Sequence, residues 1–263
     1  MTRTALFVLT AVIAITSVGN AQERRSWDWR GTLAEGKTIQ VKGVLGEIHV
    51  VRATGREARV HAVRHARNSD PMSVEFKVSE SKDGVFICAL YPTPYHARHE
   101  NSCGNDDDED HNMSLDNNDT HVDFTIEVPD HNNVIARTVV GDIDVQGVRG
   151  DVDASSVTGE VDVVAGGSVS AQSISGSIHV RMSAKKPDHD LDFKTISGNI
   201  TLEVPSDFSA DLRMKSQFGD VDSDFDIASE RSRFGRNARG KIGAGGSMVY
   251  ASTLSGTIYL KKN

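Results

Sequence analysis

Between residues 134 and 202 one short pattern returns in phase, and it limits what the chain can fold into more than any other property. Its form is V-x-A-x-x-V-x-G-x-I-x-V, and the first copy is Val134, Ala136, Val139, Gly141, Ile143 and Val145. The second is Val152, Ala154, Val157, Gly159, Val161 and Val163; the third is Val169, Ala171, Ile174, Gly176, Ile178 and Val180. Leu191, Phe193, Ile196, Gly198, Ile200 and Leu202 make a fourth, and Leu212, Met214, Gly219 and Val221 a degenerate fifth. A sixth copy, Val249, Ala251, Leu254, Gly256, Ile258 and Leu260, follows a long insertion, and another stands upstream as Ile39, Val41, Val44, Gly46, Ile48 and Val50. Copies begin 18 residues apart (134 to 152), then 17, 22, 21 and 37.

Alternating apolar and polar residues on each side of a glycine describe two half-buried strands around a bend. Glycine at the bend indicates a backbone conformation, or a close chain approach, that a Cβ would obstruct. Repeats this short cannot bury an apolar face alone and must stack on one another. The expected fold is therefore all-β: a stacked-rung β-solenoid over residues 134–263. It is preceded by an N-terminal β-rich portion, residues 22–133, that holds the upstream rung and irregular loops. Ile143, Val161, Ile178 and Ile200 should form successive inward layers, which turns Asp142, Asp144, Glu160 and Asp162 outward.

Residues 1–21 read as a secretory signal: Arg3, an apolar run from 5 to 18, then Gly19, Asn20 and Ala21 before a cut. That run is short for a membrane span, so the expectation is an exported protein, periplasmic or at the cell surface, with no transmembrane anchor after cleavage. Loss of Arg3 takes the net charge from −8 to about −9, which excludes a general nucleic-acid binder.

In the N-terminal portion, Trp27 and Trp29 are read as capping the first rung. Strands are expected over residues 52–67, 73–78, 84–90 and 120–128, with a turn at 81–84. Cys88 and Cys103 are the only cysteines, and in an exported protein an even pair is expected to form a disulfide. The run Asn105-Asp106-Asp107-Asp108-Glu109-Asp110-His111 has oxygen ligands at a density that suits calcium. It lacks the spacing of an EF-hand loop, and a block of like charge is ordinarily a solvated segment. His96, His99, His111, His121 and His131 lack a zinc-ligand framework. No metal or other cofactor is expected.

Along the repeats the acids recur with the rung instead of converging, and no Gly-x-Ser-x-Gly elbow, phosphate loop or dinucleotide fingerprint is present. No catalytic residues are assigned. The insertion at residues 224–247 begins acidic and turns basic, and reads as a flexible surface loop. Its Arg231, Arg233, Arg236 and Arg239 are the candidate anion-binding residues.

The Val-x-Gly-Asp-Ile-x-Val units, Ile126-Glu127-Val128-Pro129 with its echo Leu202-Glu203-Val204-Pro205, and Val44-Leu45-Gly46-Glu47-Ile48 carry a resemblance. They resemble the bacterial "putative adhesin" domain of unknown function, a β-solenoid repeat family, from about residue 36 to the end. The resemblance implies a non-catalytic exported protein that binds or scaffolds at the envelope or surface, with no enzymatic residues to carry over. The alternative is an envelope stress sensor, and more remotely a polysaccharide-active β-helix enzyme. The expected partner is an envelope or surface component of anionic character; self-association is left open.

Overall fold

The computed structural model describes residues 25–104, 112–232 and 235–263. The signal-like segment 1–21, the acidic run 105–111 and Arg233 lie outside the described residues. Among the described residues no helix is long and apolar enough to cross a membrane.

The chain is all-β. In order, its strands are β1 (Ser26–Thr32), β2 (Thr38–Lys42), β3 (Ile48–Arg52), β4 (Glu57–His65), β5 (Glu75–Ser81), β6 (Gly84–Leu90) and β7 (His121–Val128). The repeats supply β8 (Asn133–Val140), β9 (Ile143–Val148), β10 (Val152–Thr158), β11 (Val161–Ala165), β12 (Val169–Ser175), β13 (Ile178–Met182), β14 (Leu191–Ser197) and β15 (Ile200–Val204). Then come β16 (Ala210–Phe218), β17 (Val221–Ser223), β18 (Ala228–Ser232), β19 (Gly235–Ile242), β20 (Met248–Ser255) and β21 (Ile258–Lys262).

Two sheets face each other. Sheet I runs β1-β4-β7-β3-β9-β11-β13-β15-β21-β17, and sheet II runs β18-β19-β16-β20-β14-β12-β10-β8-β2-β6-β5. Each repeat gives its first strand to sheet II, bends at its glycine, and gives its second to sheet I. Neighbouring rungs pair in parallel, so equivalent residues lie side by side: Ile143, Val161, Ile178 and Ile200 are in register, as are Val134, Val152 and Val169. These side chains are at most 2% exposed and fill the space between the sheets. The inward layers expected from the repeat are therefore present, and the upstream copy joins them directly, β2 on β8 and β3 on β9.

The rungs do not stack in chain order. The upstream pair β2/β3 sits between β6/β7 and β8/β9, and the last pair, β20/β21, slots between β14/β15 and β16/β17. Antiparallel strands close both ends of sheet II and the β1 end of sheet I, whose other edge is the short parallel strand β17. At one end, Trp27 of β1 stacks on Phe76 of β5 with centroids 4.6 Å apart, and Phe76 meets Phe124 edge-on; the tryptophans do cap the stack. At the other, residues 224–247 contain the hairpin β18–β19, which extends sheet II antiparallel to β16. The reading of this insertion as a flexible loop is thus corrected: Ala238 and Ile242 turn inward and are buried, which is enough to hold an edge hairpin against the core.

The bends explain the glycines. At Gly159 φ is +153°, and a Cβ there would lie 2.0 Å from the carbonyl oxygen of Gly141 in the adjacent rung. Three residues before each bend a buried hydroxyl donates to a glycine carbonyl one rung away. Ser156 reaches Gly141 at 2.9 Å, Ser173 reaches Gly159 at 3.0 Å, Thr195 reaches Gly176 at 2.9 Å, Thr253 reaches Gly198 at 3.0 Å and Ser216 reaches Gly256 at 2.7 Å. Each hydroxyl satisfies its own buried polarity while fixing the next bend.

The remaining irregular piece, between β6 and β7, is tied to sheet II by the Cys88–Cys103 disulfide. Within it the Asn101 amide donates to the carbonyls of Tyr91, Pro92 and Ser114. Asp119 accepts from the backbone N–H groups of Asn68 and Ser69, and these bonds, the Ser69 N–H first, hold its carboxyl well below the usual carboxylate range.

Candidate functional site

Because side chains alternate across a strand and rungs pair in register, every outward position becomes a row that crosses the strands. Three rows on the outer face of sheet II differ in character. The row nearest the bends is apolar: Val139, Val157, Ile174, Ile196 and Leu254 are 39–49% exposed. These are the sixth positions of the repeat pattern, counted above with the apolar set. The structure places them on the outside, because the inward place is taken by the hydroxyl at the preceding residue.

The next row is polar and cationic. It runs Lys42, Arg137, Ser155, Gln172, Lys194, Ser252, Lys215 across β2, β8, β10, β12, β14, β20 and β16. No carboxylate stands in it. One row further out, Asp153 accepts from Arg137 at 3.2 Å and Asp192 pairs with Lys194, while Lys194 also lies 5.3 Å from the centre of the Tyr250 ring. Burial, with the Arg137 charge beside it, pushes the Lys42 ammonium below its ordinary pKa. Between the apolar and cationic rows lies a groove of about 460 Å³, lined by Val157, Ile174, Ile196, Leu254, Lys194 and Lys215 among others.

The candidate arginines of the insertion separate. Arg239 is exposed and pairs in register with Arg213 of β16, which adds two adjacent cations to the outer face of sheet II. Like charges directly opposite on neighbouring strands are unfavourable, and an anion would relieve them. Arg236 has the opposite parity, and its Nε lies 2.9 Å from Asp220. Arg231 pairs in register with Arg236, and Arg233 is outside the described residues. Arg236 and Arg239 thus lie on opposite faces of β19.

Sheet I presents an acidic and histidine-bearing face. One row reads Asp28, His61, Thr125, His49, Asp144, Asp162, His179, Thr201, Tyr259, Asp222. His61 meets Asp28 at 2.9 Å, His49 meets Asp144 at 2.7 Å, and His179 lies between Asp162 at 3.5 Å and Glu203 at 3.3 Å. The acids at the bends have a structural task as well. Asp123 accepts from the Glu47 N–H at 3.0 Å and Asp142 from the Glu160 N–H at 2.7 Å, so each links one rung to the next. Among the described residues no group of three or more His, Cys, Asp or Glu side chains is placed to hold a metal ion.

A larger cleft of about 960 Å³ lies at the loops after β1, β3 and β7, lined by Glu35, Arg52, Arg56, Asp130 and His131. Its Arg52 and Asp130 are matched to each other: Arg52 bonds Asp130 through two nitrogens at 2.5 and 2.7 Å, and Arg149 reaches the same carboxylate at 3.4 Å. Those bonds, Arg52 first, lower the Asp130 pKa. The groove on sheet II, whose cations outnumber the acids beside them, is the better seat for an anionic partner.

A family model described as Toastrack DUF4097 matches residues 110–261. Two solved structures are similar. One is a putative cell adhesion protein from Clostridium sporogenes, 11% identical with a TM-score of 0.49, covering 90% of this chain and 100% of that one. The other is a putative adhesin from Bacteroides fragilis, 12% identical with a TM-score of 0.43, covering 92% and 99%. No curated protein matches the chain.

Proposed function

The chain belongs to the Toastrack DUF4097 family, and from that premise we propose that it is a non-catalytic, exported protein that binds an anionic component of the cell envelope or surface. The observation that carries this reading is the outer face of sheet II, where an apolar side chain recurs in register on five rungs beside a polar row that holds Lys42, Arg137, Lys194 and Lys215. A surface of that kind meets an extended partner at many equivalent points, whereas an enzyme gathers its groups around one reacting bond. The disulfide suits an oxidising compartment outside the cytosol. Arg213 and Arg239 continue the positive face beyond the groove, and of the four insertion arginines it is Arg239 that this reading retains.

The test is retention of the full chain on isolated envelopes as ionic strength rises. Retention at low salt, lost progressively as added ions screen the exposed charges, is the expected result. Failure of the wild-type chain to be retained at any salt concentration would refute the reading. Turnover of an envelope polysaccharide by the purified chain would refute its non-catalytic part.

A further inference from the structure

We propose that the groove on the outer face of sheet II seats a linear polyanionic polysaccharide, which lies across the strands from β10 to β16 with its sugar rings on the apolar row and its acid groups on the cationic row. This rests on the envelope-binding reading and names the site and the chemical class of the partner. Direction comes first. The rows run perpendicular to the strands, so only a ligand crossing the rungs keeps one chemical face on Val157, Ile174, Ile196 and Leu254 and another on Ser155, Gln172, Lys194, Ser252 and Lys215. Five strands at about 4.8 Å spacing give a track of about 19 Å, long enough for several sugar units.

The apolar row fits no structural need. Its members are 39–49% exposed, and at the same bends the inward place is held by Ser156, Ser173, Thr195 and Thr253. Single exposed aliphatics are ordinary, but one in register on each of five consecutive rungs makes a continuous apolar strip, and such strips mark binding surfaces. A pyranose ring offers a C–H face of matching narrowness, with hydroxyls at its rim for Ser155, Gln172 and Ser252.

Charge chooses among the possible occupants. The cationic row has no carboxylate of its own, and its lysines are compact cations on flexible stems that can follow acid groups along a chain. Lys42 and Arg137 extend the row past the groove, paired in register on adjacent strands where an incoming anion would offset both charges. An acyl chain would instead require a closed apolar sleeve. Here the apolar strip is open and flanked along its whole length by amide, hydroxyl and ammonium groups.

The experiment uses the full chain and four probes: polygalacturonate oligomers, dextran sulfate, neutral dextran, and phosphatidylglycerol vesicles. Polygalacturonate or dextran sulfate should bind saturably and weaken with salt, the better of the two telling carboxylate from sulfate preference, and neutral dextran should bind far less. The variants Ile174→Ser/Ile196→Ser and Lys194→Gln/Lys215→Gln should each weaken polyanion binding by at least about tenfold, a change equivalent to about 1.4 kcal/mol, with unchanged thermal midpoints. The proposal is overturned if neither polyanion binds, if both variants bind as the wild type does, or if vesicles bind through this face in place of the polysaccharides. Envelope retention that survives in both variants would refute this site while leaving the proposed function standing. Absence of retention by the wild type would strike the proposed function itself.

Discussion

Replacing Gly159 by alanine should be among the most damaging single changes in the chain, and Gly147→Ala provides its control. Both glycines have positive φ, +153° and +72°, but their surroundings differ. A Cβ on Gly159 would sit 2.0 Å from the Gly141 carbonyl oxygen, whereas nothing lies within 4 Å of one on Gly147. Gly147 is the extra residue of a bulge, where Val164 pairs with Gln146 and Ala165 with Val148. At Gly159 the two rungs must separate by about 1 Å before the contact becomes tolerable. That movement pulls on the Gly141 N–H to Thr158 bond at 2.9 Å, the Ser156 hydroxyl bond at 2.9 Å and the Glu160 N–H to Asp142 bond at 2.7 Å. Three bonds at about 1 kcal/mol each, with about 2 kcal/mol of backbone strain, give a loss of about 5 kcal/mol. Gly147→Ala carries only the left-handed backbone cost of about 1–2 kcal/mol. In urea unfolding with the disulfide intact, the Gly159 variant should show a far lower midpoint than the Gly147 variant. Equal midpoints would refute the argument that rung contact, and not backbone freedom alone, selects glycine at the bends.

Two further changes probe other parts of the fold. Ile178→Asp puts a carboxylate between Val161 and Ile200 in a layer 1% exposed and should cost several kcal/mol; Asp142→Ser, exposed and able to keep accepting the Glu160 N–H, should cost about 1 kcal/mol or less, and similar large losses in the thermal melts of both would contradict the inward and outward assignment. For Asp119, whose folded pKa is depressed by the Ser69 and Asn68 bonds, the unfolded chain takes up the proton first, so its stabilisation is complete above about pH 5 and declines as pH falls through about 4 toward the folded value. Asp119→Asn should therefore be less stable than wild type at pH 7 and should lose less on going from pH 5 to pH 2, as read by urea midpoints at each pH; parallel pH profiles would exclude that linkage.

How much of this was legible in the sequence follows from which interactions leave a periodic mark. The inward layers at Ile143, Val161, Ile178 and Ile200 did, since a period of two is the direct imprint of a half-buried strand. The stacking order did not. An equivalent apolar layer fits against any other, so nothing in Val249, Ala251 or Ile258 says that β20/β21 lies inside β16/β17 and not beyond it. The hairpin β18–β19 escaped notice because an edge strand needs few inward apolar residues, and Ala238 and Ile242 are separated by Arg239, Gly240 and Lys241.

The positions nearest the bends carry the more useful lesson. In every repeat copy from Thr138 to Thr253 a serine or threonine stands three residues before the glycine, and that spacing was available as a signal. Counting only apolar residues hid it and credited the neighbouring Val157, Ile174, Ile196 and Leu254 to the core. With the hydroxyls bonded inward to glycine carbonyls, the strand's alternation forces those aliphatic side chains out into solvent. The repeat pattern therefore contains two kinds of apolar position. One kind is fixed by packing between the sheets and would be needed in any stack of this geometry. The other is not required by the interior and recurs in register beside Lys194 and Lys215, on the face proposed above to seat a partner.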